Sequence, residues 1–176
     1  VTDAQGCVRQ ASATLIQPAA LNVSVFHSDL TCFAANDGSA VASSMGGTGN
    51  VSFSWSNGGS GQFISNAAAG VYIVTGTDAN GCTDVESFII EQPEMMVANI
   101  IVTSPETCIG NDGSVVVQVE GGSEEYLIMW GNGAEGNTLD NVSSGVYAVA
   151  ITDQNGCAIS ASADVPYDCD ISVAST

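Results

Sequence analysis

A repeat of 75 residues is the feature that most constrains this chain, because the same short motifs return at one fixed spacing. Three versions of one hexapeptide stand at this spacing: TDAQGC (2–7), TDANGC (77–82) and TDQNGC (152–157). The spacing also superposes Trp55 on Trp130, and NDGS at 36–39 on NDGS at 111–114. A chain that repeats itself in this way is organised as similar structural units placed one after another.

Apolar residues alternate with polar ones over short runs, which predicts β-strands rather than helices. In the first complete unit we predict strands at 21–26, 39–44, 51–55, 62–65, 71–77 and 83–90. In the second unit we predict strands at 97–102, 114–119, 126–130, 137–140, 146–152 and 158–165. Such short strands, separated by turn residues, predict an all-β fold of tandem immunoglobulin-like antiparallel β-sandwich repeats.

The period also sets the expected domain limits. We predict the end of a preceding repeat at 1–18, a first repeat at 19–93, a second repeat at 94–166, and a following segment or tail at 167–176. The junctions EQPEMM (91–96) and VPYDCD (165–170) are short and contain proline, which predicts stiff joints rather than flexible linkers.

The charge balance restricts the partners. Asp and Glu total 19, Arg9 is the single Lys or Arg residue, and the net charge is −18 at pH 7. Nucleic acids and anionic membranes are excluded as partners, because binding to them requires basic side chains. No run approaches the ~20 apolar residues that cross a bilayer, so we expect no membrane insertion.

Residue types that support catalysis are scarce. His27 is the only histidine and Arg9 the only basic side chain beside it, which excludes Ser-His-Asp and Cys-His nucleophiles, Schiff-base lysines and phosphate clamps. We interpret His27 as an ordinary residue at a strand end. The sequence therefore predicts a protein that is not an enzyme.

The six cysteines predict disulfides in an oxidising compartment, because they form no CxxC pair and only one histidine accompanies them. Pairing within each repeat joins Cys32 to Cys82 and Cys108 to Cys157, and leaves Cys7 and Cys169 for outside partners. Pairing across the boundaries instead joins Cys7 to Cys32, Cys82 to Cys108, and Cys157 to Cys169. We favour the first arrangement, since a repeat used in arrays is most simply closed on itself.

Each hexapeptide is interpreted as a hairpin connection, because Asp, Asn and Gly suit tight turns between two strands. A calcium site is the competing hypothesis, with oxygen ligands from Asp78, Asn80, Asp153 and Asn155. The loops lack the alternating acids and the closing Glu of an EF-hand. We therefore expect no cofactor, with calcium as the lesser alternative.

Trp55 and Trp130 are interpreted as core residues. Val51, Phe53 and Trp55 share one face of their predicted strand, which is the pattern of a core-filling stripe. The alternative is an exposed aromatic platform that stacks on sugars. Tyr147 follows the glycine that opens its strand, and we expect its hydroxyl to anchor a corner of the sandwich.

NDGSA (36–40), FSWSNG (53–58) and AGVYIVTGTDANGC (69–82), in this order, resemble the SprB repeat. This module occurs in long tandem arrays in gliding-motility and other cell-surface adhesins of Bacteroidota-type bacteria. The resemblance covers nearly the whole chain, although the second unit departs from the pattern at IMWGNG (128–133). It implies an extracellular protein at the cell surface, secreted by the type IX route, that acts as a stalk or adhesive filament.

The partners implied by this resemblance are neighbouring repeats or identical subunits, with surface glycans as a further class. Two alternatives remain open at this point. The chain could be a subunit of a homopolymeric extracellular filament, or a carbohydrate-binding accessory module of a secreted protein.

Overall fold

The structure is a computed structural model that describes residues 1–2 and 4–169. Every regular element in this part of the chain is a β-strand, which confirms the predicted all-β class. These residues accordingly include no long apolar helix that could cross a membrane. Asp3 of the first hexapeptide lies outside the described residues, as does the part of the predicted tail from 170 to 176.

The first repeat contains six strands: β1 (Asn22–Ser28), β2 (Gly38–Met45), β3 (Ser52–Trp55), β4 (Phe63–Ala67), β5 (Gly70–Thr77) and β6 (Thr83–Ile90). They form two sheets of three strands, in the orders β1-β2-β4 and β3-β5-β6. Strands β3 and β5 are antiparallel, with Trp55 opposite Val74. All six predicted strands are therefore present.

The second repeat follows the same plan with β7 (Val97–Ser104), β8 (Gly113–Glu120), β9 (Leu127–Trp130), β10 (Thr138–Val142), β11 (Gly145–Thr152) and β12 (Ala158–Val165). Its two sheets have the orders β7-β8-β10 and β9-β11-β12. The pairs of β7 and β10 with β8, and of β9 and β12 with β11, are all antiparallel.

This topology identifies the sandwich. In each repeat the first, second and fourth strands form one sheet, and the third, fifth and sixth strands form the other. The immunoglobulin fold distributes its A, B and E strands and its C, F and G strands in the same way. Each repeat is therefore an immunoglobulin-like sandwich without the D strand.

The core of the second repeat lies between its two sheets. Val115, Val117, Leu139 and Val142 come from one sheet, and Trp130, Val149, Ile151 and Val165 come from the other. These residues belong to strands that alternate buried and exposed positions, as a sheet with one face on a core requires. In the first repeat, Phe53, Trp55, Ile64, Val74 and Ile90 are similarly buried.

Backbone proximity divides the chain into two compact units whose limits differ from the sequence repeats. One unit comprises Val1–Phe26, Val41–Ile64 and Tyr72–Phe88. The other comprises His27–Ala40, Ser65–Val71 and the chain from Ile89 onward. The loop that follows β1 thus belongs to the same unit as the second repeat. The predicted limit between residues 93 and 94 stays a prediction.

Residues 1–18 begin with a small hairpin. Thr2 and Val8 form an antiparallel bridge, and the amide of Arg9 donates to the carbonyl oxygen of Val1 at 2.9 Å. Gly6 has a φ of 86°, close to the 83° of Gly81 and the 84° of Gly156. The first hexapeptide therefore adopts a turn like those of the other two.

Candidate functional site

The turn from Asp78 to Cys82, which connects β5 to β6, is held by one buried carboxylate. Asp78 is only 6% exposed. Its Oδ1 accepts hydrogen bonds from the backbone amides of Asn80 at 2.9 Å and Cys82 at 2.8 Å. Its Oδ2 accepts from the amide of Thr48 at 2.8 Å, in the loop between β2 and β3. One side chain therefore shapes its own turn and fixes it to a neighbouring loop.

The turn from Asp153 to Cys157 repeats this arrangement. Asp153 is 5% exposed, and its Oδ1 accepts from the amides of Asn155 at 3.0 Å and Cys157 at 2.8 Å. Its Oδ2 accepts from the amide of Ser123 at 2.9 Å. We call residues 78–82 and 153–157 the cysteine turns. Both are the hairpin connections that the sequence predicted.

The pKa values of both carboxyl groups are lowered. The N–H donor from Ser123 is the main cause for Asp153, and it outweighs the effect of burial. For Asp78, burial alone would raise the pKa, but the donors from Cys82, Thr48 and Asn80 together bring it below its ordinary value. Both side chains are therefore held as carboxylates by an environment of N–H groups.

These contacts bear on the calcium hypothesis. The four candidate ligands Asp78, Asn80, Asp153 and Asn155 all lie in the cysteine turns, but the carboxylate oxygens are occupied by amide donors. The side-chain amide of Asn155 donates to Ser123 Oγ at 2.7 Å and to the carbonyl oxygen of Thr31 at 3.3 Å. In the described part of the chain, no group of three or more His, Cys, Asp or Glu side chains could hold a metal ion. Calcium binding stays a prediction for experiment.

The disulfides differ from the favoured pairing within repeats. Cys32, in the loop after β1, is bonded to Cys157 in the cysteine turn of the second repeat. Cys108 is bonded to Cys169, which we had assigned to an outside partner. Cys82 is exposed and forms no disulfide in the described structure, and Cys7 is exposed in the first hairpin. The alternative pairing across boundaries predicted none of these bonds either.

The geometry of one repeat explains why closure within it fails. The amide of Gly122 donates to the carbonyl oxygen of Glu94, so the loop that holds the Asp153 turn also holds the segment entering β7. Cys108 follows the far end of β7, which is eight residues long. An eight-residue strand spans about 26 Å. The cysteines therefore lie at opposite ends of the sandwich, beyond the reach of a disulfide.

The loops that carry Cys32 and Cys108 are held by a second pair of carboxylates. Asp37 accepts from the amide of Thr31 at 3.2 Å and from its hydroxyl at 2.5 Å. Asp112 accepts in the same way from Thr107, at 2.7 Å and 2.5 Å. These hydrogen bonds, led by those from the threonine hydroxyls, lower the pKa values of both carboxyl groups. We call residues 31–37 and 107–112 the cysteine loops.

Both tryptophans are buried, as the strand pattern predicted. Trp55 is 4% exposed and Trp130 is 3% exposed. Their indole N–H groups donate to the carbonyl oxygens of Gly61 and Gly136, each at 2.8 Å. Neither indole ring is available as a flat platform for sugars. The hydroxyl of Tyr147 donates to the carbonyl oxygen of Ser143 at 2.9 Å, which confirms its role at a corner.

Two tandem immunoglobulin-like sandwiches, linked by a disulfide from one repeat to the next, define the class of protein: an all-β repeat protein. Residues 24–60 and 100–135 match the SprB repeat family, which confirms the resemblance in both repeats. No curated protein is significantly similar to this chain in sequence.

Several solved structures have a related fold at low identity. A structure on Dscam isoform specificity is 15% identical, with a TM-score of 0.37 over 87% of this chain and 47% of that one. The 282-residue fragment of intimin, solved with the intimin-binding domain of Tir, is 10% identical, with a TM-score of 0.42 over 86% and 64%. DIP-gamma IG1+IG2 is 13% identical, with a TM-score of 0.45 over 88% and 99%. This chain spans less than two thirds of the first two. At these values the likenesses carry no argument about binding.

Proposed function

We propose that this chain is part of a non-enzymatic extracellular protein whose repeats form a stalk or adhesive filament on the cell surface. The observation that carries the proposal is the covalent bond from Cys32 of one SprB-type repeat to Cys157 of the next. Such a bond suits a protein that transmits load along a series of repeats, because the repeats stay joined when non-covalent contacts fail.

The charge and the disulfides support an extracellular location. Disulfides persist in oxidising compartments, and two are formed here. The net charge of −18 keeps the chain soluble and disfavours anionic surfaces. The chain also presents trypsin-like proteases with a single basic residue, Arg9.

The proposal is tested on intact cells of the source organism. Antibodies raised against the purified chain should label unpermeabilised cells, and treatment with a broad-specificity protease should remove the label. Trypsin should remove much less of it, because this segment offers trypsin only Arg9. Labelling that requires permeabilised cells would overturn the surface assignment.

The carbohydrate-binding alternative has lost its main support, because Trp55 and Trp130 are buried. The alternative of a polymerising subunit is favoured by a separate observation at Cys82.

A further inference from the structure

The bond between Cys32 and Cys157 lies at a cavity of about 370 Å³ in the second repeat. Part of its lining comes from the repeat itself, including Pro93, Met96, Gly122 and Cys157, and part comes from Cys32 and Phe33 of the preceding cysteine loop. The side-chain amide of Asn155 donates to the carbonyl oxygen of Thr31 beside the disulfide. The cavity therefore receives a cysteine loop in three ways, through a covalent bond, an apolar side chain and a hydrogen bond.

The first repeat contains the equivalent cavity, of about 410 Å³. Its lining includes Pro18, Leu21, Gly47 and Cys82. Each of these stands 75 residues before its counterpart in the second repeat. Gly47 also donates its amide to Ala19, as Gly122 does to Glu94. Among the described residues, however, no cysteine loop lines this cavity, and Cys82 forms no disulfide there.

The matching loop is present at the other repeat. Thr107, Cys108 and Ile109 occupy the positions of Thr31, Cys32 and Phe33 in the cysteine loop. The side chain of Ile109 is 88% exposed, whereas Phe33 is 46% exposed. Cys108 is bonded to Cys169, so Cys169 takes the place that Cys157 has on Cys32.

We propose that the cavity beside Cys82 binds the cysteine loop of a second copy of this chain, and that Cys82 replaces Cys169 as the partner of Cys108. Ile109 of the second copy enters the apolar part of the cavity, as Phe33 does in the second repeat. The side-chain amide of Asn80 is placed to donate to the carbonyl oxygen of Thr107, as Asn155 donates to that of Thr31. This proposal goes beyond the surface role proposed above, because it names the link between copies.

The covalent step is a thiol–disulfide exchange that needs no oxidant. The Cys82 thiol loses its proton, and the thiolate attacks the Cys108 sulfur of the other copy. The bond between Cys108 and Cys169 breaks, a bond between Cys82 and Cys108 forms, and Cys169 leaves as a thiolate that takes up a proton. One disulfide and one thiol are present before and after the step.

The contact joins different surfaces of the two copies. A head-to-tail contact of this kind leaves one unused cavity and one unused loop at the ends, so it extends into an open chain unless its rotation closes a ring. Each copy has a net charge of −18, so encounter is slow at low ionic strength and accelerates as salt screens the repulsion.

The test incubates the purified, oxidised chain at high concentration, mildly alkaline pH and raised salt, followed by non-reducing electrophoresis. We expect a ladder of covalent multimers that collapses on reduction, and peptides from a digest with an acid-specific protease that link Cys82 to Cys108. Cys82→Ser should abolish the ladder, whereas Cys7→Ser should retain it. Absence of the ladder, or linkage of Cys82 only to Cys82 or Cys7, would overturn the proposal.

A second variant tests whether the cavity guides the exchange. Ile109→Asp removes the apolar side chain but keeps every cysteine, and it should slow ladder formation about tenfold, since burial of an isoleucine is worth a factor of this size. Val146→Asp is the matched control, because Val146 is also exposed, at 72%, and the charge change is the same. Equal rates for the two variants would mean that the exchange is unguided. Labelling of intact cells is independent of either result, so failure of this link and failure of the surface role are distinguishable.

Discussion

Asp153 accepts a hydrogen bond from the backbone amide of Ser123 at 2.9 Å, and this bond fixes the cysteine turn of the second repeat to the loop between β8 and β9. The first repeat has the same relationship between Asp78 and Thr48, at 2.8 Å. A buried carboxylate that satisfies three backbone N–H groups is costly to lose, because those donors are then left without partners. The aspartate of the repeated hexapeptide is therefore a structural anchor.

We expect Asp78→Asn and Asp153→Asn each to lower the melting temperature by several degrees at pH 7. Asparagine keeps the shape, but its NH₂ group would face an amide donor of the neighbouring loop. Asp140→Asn serves as the control, because Asp140 is exposed on β10. Thermal unfolding followed by circular dichroism measures the difference, and unchanged melting in both variants would contradict the anchoring role.

The depressed pKa values predict how stability depends on pH. Because the folded pKa values of Asp78 and Asp153 lie below the ordinary 3.8, both carboxylates stabilise the fold above that pH. This contribution is lost as the pH falls through the folded values. Denaturant titrations should show a steep loss of stability below pH 3.8, and the double variant Asp78→Asn/Asp153→Asn should show a shallower one. An equal slope in the double variant would refute this account.

The disulfide from Cys32 to Cys157 closes 125 residues of sequence. In the chain-entropy model such a loop stabilises the fold by about 5 kcal/mol. Cys32→Ser should therefore lower the unfolding midpoint markedly, whereas Cys82→Ser should have little effect. Peptides from a non-reduced digest that link Cys32 to Cys157 would support the pairing, and peptides that link Cys32 to Cys82 would restore closure within the repeat.

Calcium should have only a weak effect. The turn carboxylates already accept amide hydrogen bonds, so added calcium should act mainly by screening a net charge of −18. We expect a small rise in melting temperature, without a defined stoichiometry by titration calorimetry, and a similar rise with magnesium. Tight binding of one calcium per repeat that Asp78→Ala abolishes would establish the site instead.

The fold could be predicted from the sequence because its signals are local. Alternation of apolar residues and the turn residues between runs placed all twelve strands, and the strand 83–90 has its predicted bounds. Strand pairing then follows from immunoglobulin-like order, since short antiparallel strands with one apolar face have few ways to form a sandwich. The burial of Trp55 and Trp130 followed from the same alternation.

The disulfides could not be predicted in this way, because pairing depends on which ends of the strands meet in space. The sequence places Cys32 and Cys82 in one repeat, but it does not show that a loop and a turn lie at opposite ends of a sandwich. The roles of Asp37 and Asp112 were also missed. A signal for them existed, since both repeats contain Thr-Cys followed closely by NDGS.

The predicted domain limits lead to a test with fragments. Residues 19–93 contain β1 to β6 and so both sheets of one sandwich, whereas residues 50–125 contain β3 to β8 and therefore parts of two sandwiches. The first fragment should unfold cooperatively with a β-rich spectrum, although at a lower temperature than the whole chain, because Cys32 has lost Cys157. The second fragment should not fold, since β3, β5 and β6 lack the sheet that covers them, and β7 and β8 lack β10. Equal stability of the two fragments in thermal and denaturant unfolding would show that the repeat register is wrong.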